Sequence, residues 1–132
     1  MNLIAKCHCG ATQVELPHAP ESAADCNCSF CSRTGAVWGY FKPGELAITA
    51  GPYDKFYSAS GTGNEHHFCA NCGMQTFGVS PDWGSVYNDD GTPKGEPGAM
   101  PTGQIYAVNL RLIDDFDWSS VKVDHMDGRN NW

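Results

Sequence analysis

Short stretches in which apolar and polar positions alternate follow one another along this chain. In Thr12–Leu16, Val14 and Leu16 fall on one face, and Leu46 and Ile48 alternate between Pro43-Gly44 and Gly51-Pro52. Leu3-Ile4, the aromatic run 36–41, and segments 53–58, 65–68, 75–79, 105–110 and 121–123 read the same way, with a turn at Gly61-Thr62-Gly63. Strand-type runs at such spacing, broken by turn residues, predict a mostly β fold of short antiparallel strands. Two short helices are expected, one turn around Ser29–Arg33 and another over Leu112–Trp118, where Asp114 and Asp115 suit a first turn. Residues 80–103 hold five Gly and four Pro and few aliphatic side chains, and read as one long loop. Loops of that length tend to be functional or mobile, so a lid is expected there.

Composition narrows the picture. A chain of 132 residues predicts a single small domain, residues 1–132. The net charge is −7, and the eight basic residues are scattered with no two adjacent. Without a basic stripe to neutralise phosphates, neither nucleic acid nor an acidic membrane surface is an expected partner. No charged segment leads into an apolar run, and no apolar run approaches membrane-spanning length, so a cytoplasmic location is expected.

The cysteines change the picture most. Seven is an odd number, and all seven are clustered: Cys7 and Cys9; Cys26, Cys28 and Cys31; Cys69 and Cys72. Clustering at two- and three-residue spacing points to metal rather than disulfides. The first and last pairs are each followed by glycine, Gly10 and Gly73, as a tight ligand turn with positive φ requires. These matching endings group Cys7, Cys9, Cys69 and Cys72 as one closed structural zinc site. Cys26, Cys28 and Cys31 remain, three ligands within six residues. Three protein ligands with an exchangeable fourth is the arrangement of a catalytic zinc. Three thiolates leave Zn²⁺ with net negative charge, so the site favours a soft visiting thiolate over hydrolytic water. Thiol–carbonyl chemistry follows, a bound thiol adding to an aldehyde or leaving its adduct. Two alternatives stay open: a histidine (His8, His66, His67, His125 or His18) closing the trio as Cys₃His, and a metal-free trio with one redox thiol.

The segments CHCG (7–10), CNCSFCSRTG (26–35), FCANCG (68–73) and VNLRLIDD (108–115), with a late Asp127-Gly128, resemble the glutathione-dependent formaldehyde-activating enzyme family, whose wider group includes centromere protein V. The resemblance covers nearly the whole chain except 80–103. It implies a β-rich fold with two Zn²⁺, a structural one on Cys7, Cys9, Cys69 and Cys72 and a catalytic one on Cys26, Cys28 and Cys31. The implied activity joins formaldehyde and glutathione into S-(hydroxymethyl)glutathione, a carbon–sulfur lyase reaction. Arg33, beside the trio, is the candidate contact for an anionic thiol such as glutathione, and His66 or His67 the candidate base. Trp38, Tyr40 and Phe41 are expected as strand core, with pocket wall as the alternative. Asn109 and Arg111 are expected to pack and hydrogen-bond. The competing function is a non-catalytic zinc-binding module for a protein partner.

Overall fold

The computed structural model describes residues 3–59, 61 and 63–132. Thr62 of the turn expected at 61–63 lies outside them. Among the described residues ten strands form: β1 Leu3–Lys6, β2 Gln13–Leu16, β3 Ser22–Cys26, β4 Trp38–Phe41, β5 Ala47–Thr49, β6 Asp54–Tyr57, β7 Glu65–Cys69, β8 Gln75–Pro81, β9 Gln104–Asn109 and β10 Lys122–Met126. One-turn helices α1 (Cys31–Thr34) and α2 (Gly128–Asn131) complete the set with three 3₁₀ turns. The fold is mostly β, as expected. Pairing is antiparallel except between β10 and β3, which run parallel.

The strands make two sheets, one in the order β1-β2-β5 and one in the order β10-β3-β4-β9-β8-β7-β6. Residues paired across strands share a face, so the large sheet has two faces of different character. On one, Ala23, Phe41, Val108, Phe77 and Val79 join Ala5, Val14 and Leu16 of the small sheet in a single buried cluster with Leu110, Ile113 and Phe116. The other face carries Ala24, Cys26, Trp38, Tyr40, Asn109 and His66. This second face holds the chemistry.

Two expectations need correction. No helix spans Leu112–Trp118. Instead 3₁₀ turns Leu110–Leu112 and Trp118–Ser120 flank it, because the Asn109 and Asp117 side chains cap the Arg111 and Ser119 amides and draw the backbone into turns. Between them Asp114 and Asp115 form a turn, with Asp115 at φ 56°, and Ile113 and Phe116 on either side of it are buried in the core. The loop 80–103 is also less bare than expected. β8 runs to Pro81, a 3₁₀ turn covers Trp83–Ser85, and Tyr87 bridges Pro93.

Candidate functional site

The first cysteine group forms where the end of β1 meets the β7–β8 turn. Cys7 and Cys69 start matching turns, in which the Gly10 amide donates to the Cys7 carbonyl at 2.9 Å and the Gly73 amide to the Cys69 carbonyl at 2.7 Å. Both glycines have φ 80°, the left-handed conformation expected of them. The turns bring the Cys9 sulfur 3.7 Å from that of Cys7 and 3.6 Å from that of Cys69. Thiolates about 2.3 Å from a tetrahedral zinc stand about 3.8 Å apart, so these spacings fit the ion. Cys69 and Cys7 are buried, which ties the site into the core. Burial works to raise the Cys72 thiol, but the amides of Cys9 and Met74 and the neighbouring sulfurs outweigh it and push it down to about 6. The Asn71 side chain, then the Ala11 amide, lowers Cys9. The Cys72 amide works to lower Cys69, but burial and the Cys9 and Cys72 sulfurs raise it to about 11, so the four thiols are not equivalent and a metal among them would favour the thiolate form.

The second group sits on the other face of the large sheet. β3 ends at Cys26, and the chain turns through Cys28 into α1, which begins at Cys31. The Cys28 amide faces the Cys26 sulfur at 3.4 Å, and the Cys31 amide the Cys28 sulfur at 3.3 Å. All three sulfurs lie within 4.8 Å of one another. They are not equivalent. Cys28 is lowered, since the amides of Cys31 and Phe30 and the neighbouring sulfurs overcome its burial. Burial, then charge on Cys28, raises Cys31, and burial raises Cys26. Cys28 is the trio member most readily ionised, and a cation among the sulfurs would favour the thiolate form of the other two. That donor set fits a metal held on three sulfurs.

Among the described residues, no histidine, aspartate or glutamate ligand atom joins either group. The Cys₃His alternative therefore finds no partner. His67 points away from the trio, stacked on Phe77, with Nδ1 3.0 Å from Asp54 and Nε2 3.0 Å from Glu65. Both its nitrogens are engaged by carboxylates, which removes it as a base. His66 shares the trio's face and stacks on Phe30 at 3.9 Å between ring centres. Burial, then His67, lowers its pKa from 6.5, so it is neutral at neutral pH. His125 pairs with Asp25, while His18 lies against the Ala19 carbonyl.

The three aromatic residues of β4 divide. Phe41 is core. Trp38 is buried, and its side chain works to lower the Cys31 thiol. Tyr40 is 45% exposed, yet walled in closely enough that burial, then Cys31, Cys26, Cys28 and Asp89, raise its phenol. Arg33 lies on α1 and donates to the Ser29 carbonyl at 2.6 Å. It borders a recess of about 690 Å³ with Phe30, Tyr57, Met74, Gln75 and Asn109. Gln75 Oε1 is a buried acceptor with no partner there. Asn109 donates to the Gln75 carbonyl, the hydrogen-bonding role expected of it.

Sequence reasoning did not find the role of the C-terminal segment. Asn27 joins the trio's loop to it, donating to Asp127 at 3.0 Å and accepting from the Arg129 amide at 2.9 Å. The Asp127-Gly128 dipeptide is the one signal in the sequence that pointed to this segment, and nothing local says what it touches.

A crystal structure of a Rhodobacter sphaeroides protein is similar over 92% of this chain and 99% of its own, at 23% identity and a TM-score of 0.62. That likeness is one of fold. A model of the family described as glutathione-dependent formaldehyde-activating enzyme matches residues 2–109, a span that includes all seven cysteines. The chain belongs to the glutathione-dependent formaldehyde-activating enzyme family.

Proposed function

We propose that this chain is a zinc-dependent enzyme of carbon–sulfur lyase type that joins or cleaves thiol–aldehyde adducts, with glutathione and formaldehyde or a related pair as substrates. Two Zn²⁺ per chain are proposed, one on Cys7, Cys9, Cys69 and Cys72 and one on Cys26, Cys28 and Cys31. The single observation carrying the reading is the trio itself: three sulfurs gathered on one loop, with no fourth side-chain donor among the described residues. Zinc bound there would supply the positive charge that keeps a visiting thiol ionised and oriented.

The chain's own residues do the rest. The Cys28 and Cys31 amides hold the Cys26 and Cys28 sulfurs in place. Arg33, exposed beside the 690 Å³ recess, is the cation offered to a carboxylate of the thiol substrate. In the joining direction a sulfur–carbon bond forms and the thiol proton ends on the former carbonyl oxygen. Neutral His66, on the same face, is the side chain suited to carry that proton.

Exchange spectroscopy on a glutathione–formaldehyde mixture tests this: the protein should accelerate exchange above the spontaneous rate, and no acceleration defeats the glutathione version. Arg33→Ala should weaken glutathione about fivefold, the scale of one exposed charge contact. A second reading, a zinc module that binds a protein partner, draws on the exposed Phe56 and Tyr57 of edge strand β6. Cobalt substitution followed by thiol titration separates the two, since only a site open to thiols changes its spectrum.

A further inference from the structure

The trio's face carries a second opening, away from Arg33. Two cavities, of about 530 and 440 Å³, lie side by side between the loop after β8 and the C-terminal segment. They share Trp83, Gly84, Asp89, Met126 and Trp132 as walls, and so form one recess. Tyr87 closes one side, and Tyr40 lines the inner part over Ala23 and Ala24 of β3.

This recess adjoins the trio. Met126 pairs with Cys26 across the parallel strands. A methyl group placed on Gly128 would stand 2.7 Å from the Trp132 indole nitrogen and 2.8 Å from the Cys26 sulfur. One wall of the recess is thus a few ångströms from a proposed metal ligand. Its chemistry is distinct. The walls are aromatic and carry Asp89, Asp82 and Asp124, the last paired with Lys122 at 3.4 Å, with no lysine or arginine among the described lining residues. Neighbouring cations already hold partners, Lys94 on a wall residue of the recess itself. Lys94 donates to the Gly84 carbonyl at 2.7 Å, and Arg129 to the Asn27 carbonyl and the Ser32 hydroxyl at 3.3 Å each.

Aromatic faces with carboxylates recognise a positive charge on an apolar body and repel an anion. Formaldehyde has neither body nor charge and would leave such a space almost empty. We infer that this recess binds a small molecule with an apolar body and a protonated amine, and that the carbonyl partner of the reaction is an amine-bearing compound larger than formaldehyde. The second half rests on the thiol–aldehyde reading above. Each recess then takes one substrate, with Arg33 facing the anionic thiol and the aromatic walls facing the cationic carbonyl compound.

The inference is tested by calorimetric titration of the full chain with three probes of one shape: phenethylammonium, 2-phenylethanol and phenylacetate. The ammonium should bind about fivefold more tightly than the alcohol, and phenylacetate more weakly than either. Asp89→Asn, at an exposed loop position, should bring the ammonium close to the alcohol. Trp83→Leu should weaken both while leaving the unfolding temperature near that of the parent. Equal or tighter binding of phenylacetate, no binding of any probe at millimolar concentration, or an unchanged preference in Asp89→Asn would each overturn the inference. No thiol or turnover is involved, so this outcome is independent of the glutathione exchange assay. Should exchange fail while the ammonium binds as stated, the recess stands and the glutathione–formaldehyde version of the reaction falls.

Discussion

The two cysteine groups use the same ligand atom for opposite ends. The four-cysteine group draws its ligands from points about sixty residues apart, Cys7–Cys9 and Cys69–Cys72, and buries two of them in the core. The trio comes from a single loop, and each sulfur is only part-buried or at the margin of the core. A metal in the first group closes a long loop and so bears on folding. A metal in the second organises only a local turn. Ligand spacing along the chain, more than ligand identity, therefore separates a staple from a site that can keep an open side.

The sharpest way to break that contrast is to remove a ligand from each. Cys69→Ala should lose its metal and much of the fold, because structural zinc contributes on the order of 10 kcal/mol in small domains and Cys69 is wholly buried. Circular dichroism and metal analysis would check it; a folded variant with normal melting refutes the staple. Cys28→Ala should drop zinc from two per chain to one and abolish thiol-induced spectral change in the cobalt form. Its melting temperature should fall by only a few degrees, since about 1 kcal/mol is at stake in a loop. Collapse of that variant would mean the trio is structural too.

Both groups are legible in the sequence, through cysteine spacing and, for the four-cysteine group, the glycine after each pair, because metal geometry is local and strict. Alternation finds most strands, since each buries one face. It misses β3, Ser22–Cys26, whose Ala23-Ala24-Asp25 has neither branched nor aromatic side chains. Those alanines are small where β3 is flanked by β4 and β10, with Ala23 in the core and Ala24 under the recess. Leu112–Trp118 misleads in the other direction, its acidic pattern suiting a helix start while Asn109 and Asp117 fix turns instead. The aromatic recess is illegible because Trp83, Tyr40 and Trp132 are far apart in sequence and meet only through tertiary packing. Arg33 adjoins the trio in sequence, yet in space it borders a recess of its own.

Chelation sharpens the contrast without mutation. A competing chelator should strip the trio's metal first and the four-cysteine metal more slowly, giving two phases. Three ligands from one local loop release an ion more readily than four drawn from distant segments, two of them buried in the core. The slow phase alone should coincide with loss of β circular dichroism. A single phase, or unfolding with the first metal lost, would erase the distinction.

The smallest expected effect comes from Gly128→Ala. No ligand is removed, and Gly128 adjoins Cys26 of the trio. The new methyl would meet the Cys26 sulfur at 2.8 Å and the Trp132 indole at 2.7 Å, both closer than real contacts allow. Trp132 is 56% exposed and can swing aside. Cys26 ends a strand paired on both sides of its neighbours, so its sulfur yields by rotating away from Cys28. Affinity at the trio should fall about tenfold, since one displaced ligand of three costs little more than 1 kcal/mol if the loop relaxes. Overpacking at a surface-bordering position should cost about 1 kcal/mol in stability. Competitive zinc titration would register a weakened trio beside an unaltered four-cysteine group. Equal weakening of both metals would show that the two groups communicate through the sheet, and the separation argued from their ligand spacing would fail.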